Sequence, residues 1–299
     1  MANSFAAMKQ NRQSQIEKLS SEVSKLQGSG APQGDDRFWK PEVDKSGNGH
    51  AIIRFLPAPN NEDVPFVRVF DHGFQGPGGW FIEKSLTTLG EKCPVSEYNS
   101  MLWNSGTEAD KTFVRQKTKR RLSFVSNIYV VKDPSNPDNE GQVFLYKYGK
   151  KIFDKLQDQM TPEFDDETPV NPFDLWDGAN FRLKIRKVEG YRNYDKSEFD
   201  SPSPLFDDDE NLEEVWMKQY SLEEITAPSN FKSYDELKTR LDMVLSGTVA
   251  ANTTVETLME DEDTATTSVG TKEEPAPKLS VVEDNDDDAM SYFEKLAKE

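Results

Sequence analysis

Apolar positions recur along this chain with two different periods, and the change of period divides it. Near the amino end Ile16, Leu19, Val23 and Leu26 repeat at spacings of three and four, which predicts one amphipathic helix over residues 1–27. Lys9, Arg12, Lys18 and Lys25 make that segment basic, and Gly28-Ser29-Gly30 with Pro32 and Gly34 ends it. One short helix cannot bury its own stripe, so it must dock, either on its own core or on a neighbouring copy.

From residue 35 to 200 the pattern shortens to strand length. His50 to Leu56 reads as a strand behind the turn signal Gly47-Asn48-Gly49. Val64 to Phe74 and Trp80 to Ile82 read as a hairpin around Gly76-Pro77-Gly78-Gly79. Ser123 to Val131 is a strand stopped by Asp133-Pro134 and Asn136-Pro137; Val143 to Tyr148 is the next, and Lys150 to Gln159 is helical. Phe181 to Val188 alternates Phe181, Leu183 and Ile185 with Arg182, Lys184 and Arg186, a strand with one basic face. Short strands at turn-punctuated spacing suggest a small barrel or sandwich; an OB-like barrel fits, and strand count alone does not separate it from other β folds. Beyond residue 200, Asp207 to Glu210 open a helix through Leu212, Val215, Trp216 and Tyr220, with acid at its favoured end. A second helix, Asn230 to Leu245, places Phe231, Tyr234, Leu237, Leu241 and Leu245 on one stripe.

Composition changes this picture mainly at the carboxyl end. The 299 residues carry 36 Lys+Arg against 54 Asp+Glu, a net charge of −18. Residues 248–299 hold fourteen acids and four bases among Ala, Thr, Ser and Pro, which reads as a disordered acidic tail. No apolar run reaches the roughly 18 residues of a membrane span, and no signal-peptide pattern opens the chain, so a soluble cytoplasmic protein is expected. Cys93 is the only cysteine and cannot pair within its chain.

Net charge alone argues against a nucleic-acid partner, because polyanion binders are usually basic. Placement of charge reverses the argument. Residues 111–151 carry ten Lys+Arg (Lys111, Arg115, Lys117, Lys119, Arg120, Arg121, Lys132, Lys147, Lys150, Lys151) against three acids, whereas residues 197–224 carry ten acids against Lys218. Aromatics interleave with the basic band: Phe113, Phe124, Tyr129, Phe144, Tyr146, Tyr148 and Phe153. A second stretch repeats the pattern, Arg182, Lys184, Arg186 and Lys187 leading into Tyr191-Arg192-Asn193-Tyr194. Cations neutralise phosphates, and flat rings stack on bases that a duplex hides, so the combination suits single strands. The competing interpretation makes the rings ordinary β core and the charges a solvated face. On alternating strands some rings must be core, since Phe144, Tyr146 and Tyr148 share one face and Lys147 takes the other.

Catalytic signals are poor. There is no phosphate-binding glycine loop, His50 and His72 are the only histidines, and Cys93-Pro94 has no histidine beside it in sequence. The acids lie in runs typical of solvated surface. No enzyme is expected; an acidic scaffolding protein and, more weakly, a magnesium-dependent nuclease are the alternatives.

At Ile52-Ile53-Arg54-Phe55-Leu56-Pro57, Val131-Lys132-Asp133-Pro134, Asn139-Glu140-Gly141, Tyr148-Gly149-Lys150-Lys151-Ile152 and Asn193-Tyr194-Asp195, the chain resembles the helix-destabilising, gene-thirty-two-type single-stranded DNA-binding proteins of T-even-like phages. The blocks fall in order between about Phe38 and Leu245. The resemblance implies a mainly β (α+β) fold: an OB-fold Greek-key barrel with an inserted small subdomain, flanking helices and the acidic tail. It divides the chain into an N-terminal arm (1–28) for cooperativity, a DNA-binding core (29–247) and a partner-binding tail (248–299). It implies sequence-nonspecific, cooperative coating of single-stranded DNA in replication, recombination and repair, in the cytoplasm of an infected bacterial host. The tail would recruit replication and recombination proteins, and no membrane partner is expected of the chain; the placement of charge, apart from the resemblance, adds that the acidic tail would compete with DNA for the basic cleft. The family's basic-then-hydroxyl motif corresponds to Lys119-Arg120-Arg121-Leu122-Ser123, with a degraded N-terminal copy at Lys9, Arg12 and Ser14. DNA contacts carried over are Lys117, Lys119, Arg120, Arg121, Lys147 and Lys151, with stacking on Phe124, Tyr146, Tyr191 and Tyr194; Trp103 replaces a tyrosine in a loop.

The family also binds zinc through one His and three Cys. The matching positions here are His72, Ser85, Cys93 and Ser96. Neutral serine hydroxyls are poor zinc ligands beside thiolates, so no cofactor is expected, and the subdomain is expected to compensate through Leu86, Leu89 and Val95.

Overall fold

The computed structural model describes residues 35–246 except Asp165. The N-terminal arm with Lys9, Arg12 and Ser14, and the acidic tail, lie outside the described residues.

The alternating segments form one antiparallel sheet. Its path runs β3 (Gly79–Lys84), β2 (Val67–Gly76), β4 (Arg121–Lys132), β1 (Gly49–Phe55), β6 (Phe181–Val188) and β7 (Tyr191–Asn193). Off this path β5 (Val143–Tyr148) pairs with β4 and β8 (Glu198–Phe199) with β6. No pairing among the described strands joins the two ends of the path, so the sheet is open. The 12-residue β4 is the organising strand, because it pairs with β1, β2 and β5 at different points along its length. The β2–β3 hairpin closes at Gly76↔Gly79. A Cβ at Gly78 would come within 2.0 Å of the Met243 carbonyl oxygen, and the Gly78 amide donates to the Val244 carbonyl at 2.8 Å, so the tip of the hairpin admits only glycine there.

Among the described residues five α-helices accompany the sheet: α1 (Pro94–Asn104), α2 (Glu108–Phe113), α3 (Lys150–Met160), α4 (Asp209–Met217) and α5 (Tyr234–Ser246). Two differ from the boundaries expected above, for local reasons. Asp208 caps α4 by accepting from the Asn211 amide at 2.9 Å, and the helix ends at Met217, short of Tyr220. A capping box starts α5: Ser233 Oγ accepts from the Glu236 amide at 3.4 Å and Glu236 Oε2 accepts from the Ser233 amide at 2.9 Å. Phe231 therefore packs from outside the helix. The segment 94–113, for which no helix was expected, is helical from Pro94, a residue suited to a first helical turn.

The main core lies between the sheet and α3. Ile53, Phe55, Phe124, Tyr146, Tyr148, Phe181 and Leu183 meet Ile152 and Leu156 there. A second core forms a lobe, in which Phe74 and Phe81 of the hairpin pack with Leu86, Cys93, Val95 and, from far along the chain, Leu237, Leu241 and Val244 of α5. Leu89 packs on the same cluster, so the apolar contacts expected of Leu86, Leu89 and Val95 are present, with α5 closing them. A buried cation ties the connecting loops to β1. The Arg54 guanidinium donates to Asn180 Oδ1 (3.0 Å) and to the carbonyls of Asp174 (3.3 Å) and Ser203 (2.6 Å). Burial pulls it down to about 10, which leaves it charged at neutral pH. Among the described residues no helix is long and apolar enough to cross a membrane.

Candidate nucleic-acid interface

The basic band begins in the lobe and ends in the sheet, and one reciprocal hydrogen-bond pair sets its shape. Thr118 is buried at the end of a wide turn (Val114–Thr118) between α2 and β4. Its hydroxyl donates to Asn99 Oδ1 at 2.6 Å, and Asn99 Nδ2 donates to the Thr118 carbonyl at 2.7 Å. The turn is thereby pinned to α1, and Arg115, Lys117 and Lys119 stand exposed around it.

Alternation then decides which side chains share a face. The register pairs Arg68 with Phe124 and Phe70 with Leu122 across β2 and β4. Arg120 precedes β4 in the same phase. The Phe70 ring consequently lies beside two guanidinium groups, Arg120 at 4.2 Å and Arg68 at 5.4 Å from its centroid. Burial, and then the Arg68 charge beside it, lower the Arg120 guanidinium below its usual range. A nearby phosphate offsets both effects by supplying the opposite charge and hydrogen-bond acceptors. In the lobe, Trp103 carries the same arrangement, with Arg115 at 4.9 Å and Lys111 at 6.0 Å from its ring. Trp103 sits in α1, not in the loop expected for it. Two rings, each flanked by two cations, thus lie on successive elements.

The opposite phase of β4 serves a different purpose. Arg121 Nε donates to Asp71 Oδ1 at 3.0 Å and Lys147 Nζ to Asp71 Oδ2 at 2.9 Å. Burial pushes the Asp71 carboxyl up, and the Lys147 and Arg121 charges outweigh it, holding the group below the usual carboxylate range. The Arg121 guanidinium also fills the space above Gly73, where a Cβ would meet it at 1.7 Å. Arg121 and Lys147, expected as DNA contacts, therefore serve a shared carboxylate on the face away from Phe70.

The expected stacking rings separate similarly. Phe124 and Tyr146 are 5% and 3% exposed. Phe124 stacks on Phe153 at 3.8 Å, and Tyr146 meets Trp39 edge-on at 5.2 Å. Both are core residues here, because the face they share with Phe55 and Tyr148 is covered by α3. Tyr191, on β7, is 40% exposed, and Tyr194 is half-buried against the main core. Lys151 is exposed on the first turn of α3. The second basic stretch meets acids: Arg182 pairs with Asp200, Lys184 with Glu198 at 2.6 Å, and Arg186 Nε with Asp195 at 2.8 Å. Arg68, Phe70, Lys111 and Arg115 were not among the expected site residues. The alternation of Val67 to Phe74 puts Arg68 and Phe70 on one face, but nothing local distinguishes that face from core.

The four positions matching a zinc site converge in the lobe. His72 Nε2 lies 3.7 Å from Cys93 Sγ. A tetrahedral zinc with ordinary bond lengths sets its sulfur and nitrogen ligands about 3.6 Å apart, so these two keep the spacing of ligands. The other two do not supply the donors. Ser85 Oγ is shared with Thr87 Oγ1 at 3.0 Å, and Ser96 Oγ is buried without a hydrogen-bond partner among the described residues. Burial pushes the Cys93 thiol up; hydrogen bonds with His72 and Ser85 and from the Ser96 amide outweigh it and bring it down to about 6. One thiol, one imidazole and two neutral hydroxyls do not fit a structural zinc. Among the described residues no three His, Cys, Asp or Glu side chains group to hold a metal ion.

Residues 47–245 match the family model described as "gp32 DNA binding protein like". The chain is 40% identical over 239 residues to a protein of Enterobacteria phage T4 named "Single-stranded DNA-binding protein", covering 77% of this chain and 78% of that protein. A protein of the same name from Enterobacteria phage T2 is 40% identical over 241 residues, 78% of each chain. One from Enterobacteria phage RB70 is 39% identical over 106 residues, 33% of this chain and 90% of its own length.

Proposed function

The chain belongs to the gp32-like family of phage single-stranded DNA-binding proteins, and from that premise we propose that it coats single strands without catalysis, using the ring-and-guanidinium sites at Phe70 and Trp103. The observation that carries this reading is Phe70 between Arg68 and Arg120. A base stacks on such a ring for roughly 1–3 kcal/mol, while the adjoining cations neutralise its phosphates. Every base has a π-face, so little sequence preference follows. The open antiparallel sheet with its lobe corresponds, in this reading, to an OB-type core with an inserted subdomain.

The finer assignments rest on the same premise. Residues 1–28 serve cooperative, head-to-tail association along the strand, with Lys9, Arg12 and Ser14 as the degraded basic motif. Residues 248–299 recruit replication and recombination proteins and compete with DNA for the basic face, in the cytoplasm of the infected host. Fluorescence titration of the full chain with an oligonucleotide at several salt concentrations tests the central reading. The expected result is binding that weakens with a log–log slope of about −0.7 per neutralised phosphate. Absence of binding at low salt supports the acidic-scaffold alternative instead. Truncation after Gly247 is expected to raise affinity most at low salt.

The same reading holds the lobe together without zinc, through the apolar cluster that α5 closes. Metal analysis of the purified chain is expected to find none tightly held, and Ser85→Cys with Ser96→Cys is expected to restore one zinc per chain. One tightly held zinc in the unaltered chain overturns this.

A further inference from the structure

A groove of about 460 Å³ runs between the segment after β1 and the loop before β6, away from the basic band in sequence and opposite to it in charge. Its walls are Pro57, Pro65, Phe66, Phe173, Leu175 and Trp176. Trp176 is 55% exposed yet fixed: its amide donates to Asp174 Oδ1 at 2.7 Å and its indole Nε1 to Asp209 Oδ1 at 3.1 Å. An exposed tryptophan held upright at the mouth of an apolar groove is the anchor geometry of a docking surface. Helix α4 is fastened to the same wall, since Trp216 Nε1 donates to the Ala58 carbonyl at 3.1 Å. It brings the exposed acids Asp209, Glu210, Glu213 and Glu214. The groove itself adds Asp63 and Asp174 and has no Lys or Arg in its lining.

This chemistry selects its occupant. Acids around the mouth repel a phosphate backbone, and they repel the tail, whose fourteen acids face four bases. The other segment outside the described residues has the complementary character. Residues 1–27 carry Lys9, Arg12, Lys18 and Lys25 against Glu17 and Glu22, with Ile16, Leu19, Val23 and Leu26 at the i, i+3, i+7, i+10 spacing of a helix that lays one apolar face into a groove. We propose that this groove receives residues 1–27 of a neighbouring copy, the apolar stripe entering between Pro65 and Trp176 and the basic face meeting Asp63, Asp174 and α4. The proposal rests on the cooperative reading above and gives it a receiving surface.

The test uses full chains on a long oligo(dT) strand. Ser20→Cys, beside the apolar stripe, is placed in one population and Asp177→Cys, exposed beside Trp176, in a second; Asp235→Cys, exposed on α5, replaces the second as control, and the native Cys93 is buried. A disulfide between the Ser20→Cys and Asp177→Cys copies, forming at least tenfold faster than with the control, is the expected result. Equal rates, no disulfide, or a disulfide formed only within a chain carrying both substitutions overturns the proposal. Asp63→Lys with Glu213→Lys is expected to weaken binding to the long strand at least fivefold while leaving binding to an oligonucleotide that accommodates one copy unchanged. Lys18→Glu with Lys25→Glu is expected to restore it. Failure of this charge swap counts against the docking, whereas failure of the unaltered chain to bind the short oligonucleotide counts against the DNA reading; disulfide formation in concentrated, DNA-free solution separates the two.

Discussion

Two stretches of this chain look alike in sequence and differ in the fold. Both bring Lys or Arg next to apolar strand residues, and both approach aromatics. Around β2 and β4, Arg68 and Arg120 are brought to a ring and to each other's charge. Along β6, Arg182, Lys184 and Arg186 each find a carboxylate from residues 195–200. Arg68 and Arg120 lie beside one ring, whereas each cation of β6 stands beside its own carboxylate and presents a dipole that falls off quickly. Charge density along the chain therefore overstates the interface, and the position of the acids corrects it.

The strongest way to break this comparison is to remove the first site. Phe70→Ala with Arg68→Ala and Arg120→Ala is expected to lower affinity for a short oligonucleotide by tenfold or more and to flatten the salt slope by about 0.7 for each lost phosphate contact. Unchanged affinity in a fluorescence titration would mean that these cations are only a solvated face.

Asp71 offers an intermediate case, because its pair with Arg121 is largely shielded from water while its Lys147 partner is 43% exposed. Asp71→Asn is expected to cost about 2 kcal/mol of stability, read as a lower urea midpoint at pH 7. Its folded carboxyl is held below the unfolded value, so its contribution is complete above the unfolded value of about 4 and disappears as pH falls through the lowered folded value. The substituted chain is therefore expected to lose less stability than the unaltered one between pH 5 and 2. Equal losses would detach Asp71 from the acid sensitivity.

The smallest effects are expected on β6. Arg182→Ala, Lys184→Ala and Arg186→Ala together are expected to change oligonucleotide affinity less than about threefold, since exposed pairs are worth little either way. Asp195→Asn with Glu198→Gln, which frees Arg186 and Lys184, is expected to raise affinity at low salt and to have no effect at high salt. A loss from the triple substitution matching that at Phe70 would erase the distinction between the regions.

Much of the fold was legible because its strands carry their own period. β5 and β6 fall where alternation puts them, and β4 exceeds its expected length by only a few residues. The lobe was less legible. The helices of segment 94–113 show no long apolar stripe, and the burial of Val95 and Tyr98 on α1 depends on α5, more than a hundred residues away. Arg120, Lys117, Lys119 and Trp103 lie in the basic region around β4 and the lobe, while Phe124 and Tyr146 joined the core. A ring on a strand has the same local pattern whether its face meets a helix or solvent.

Residue order by itself determined the antiparallel strands, the contrast between a basic middle and an acidic carboxyl end, and the family. These depend on spacing and composition, which are local. Tertiary structure alone decided which rings lie under α3, which cations Asp71 and the acids of residues 195–200 neutralise, and that His72 Nε2 stands 3.7 Å from Cys93 Sγ. Each of those outcomes depends on which residues distant in sequence are brought within a few ångströms, where hydrogen bonding, ion pairing and burial act.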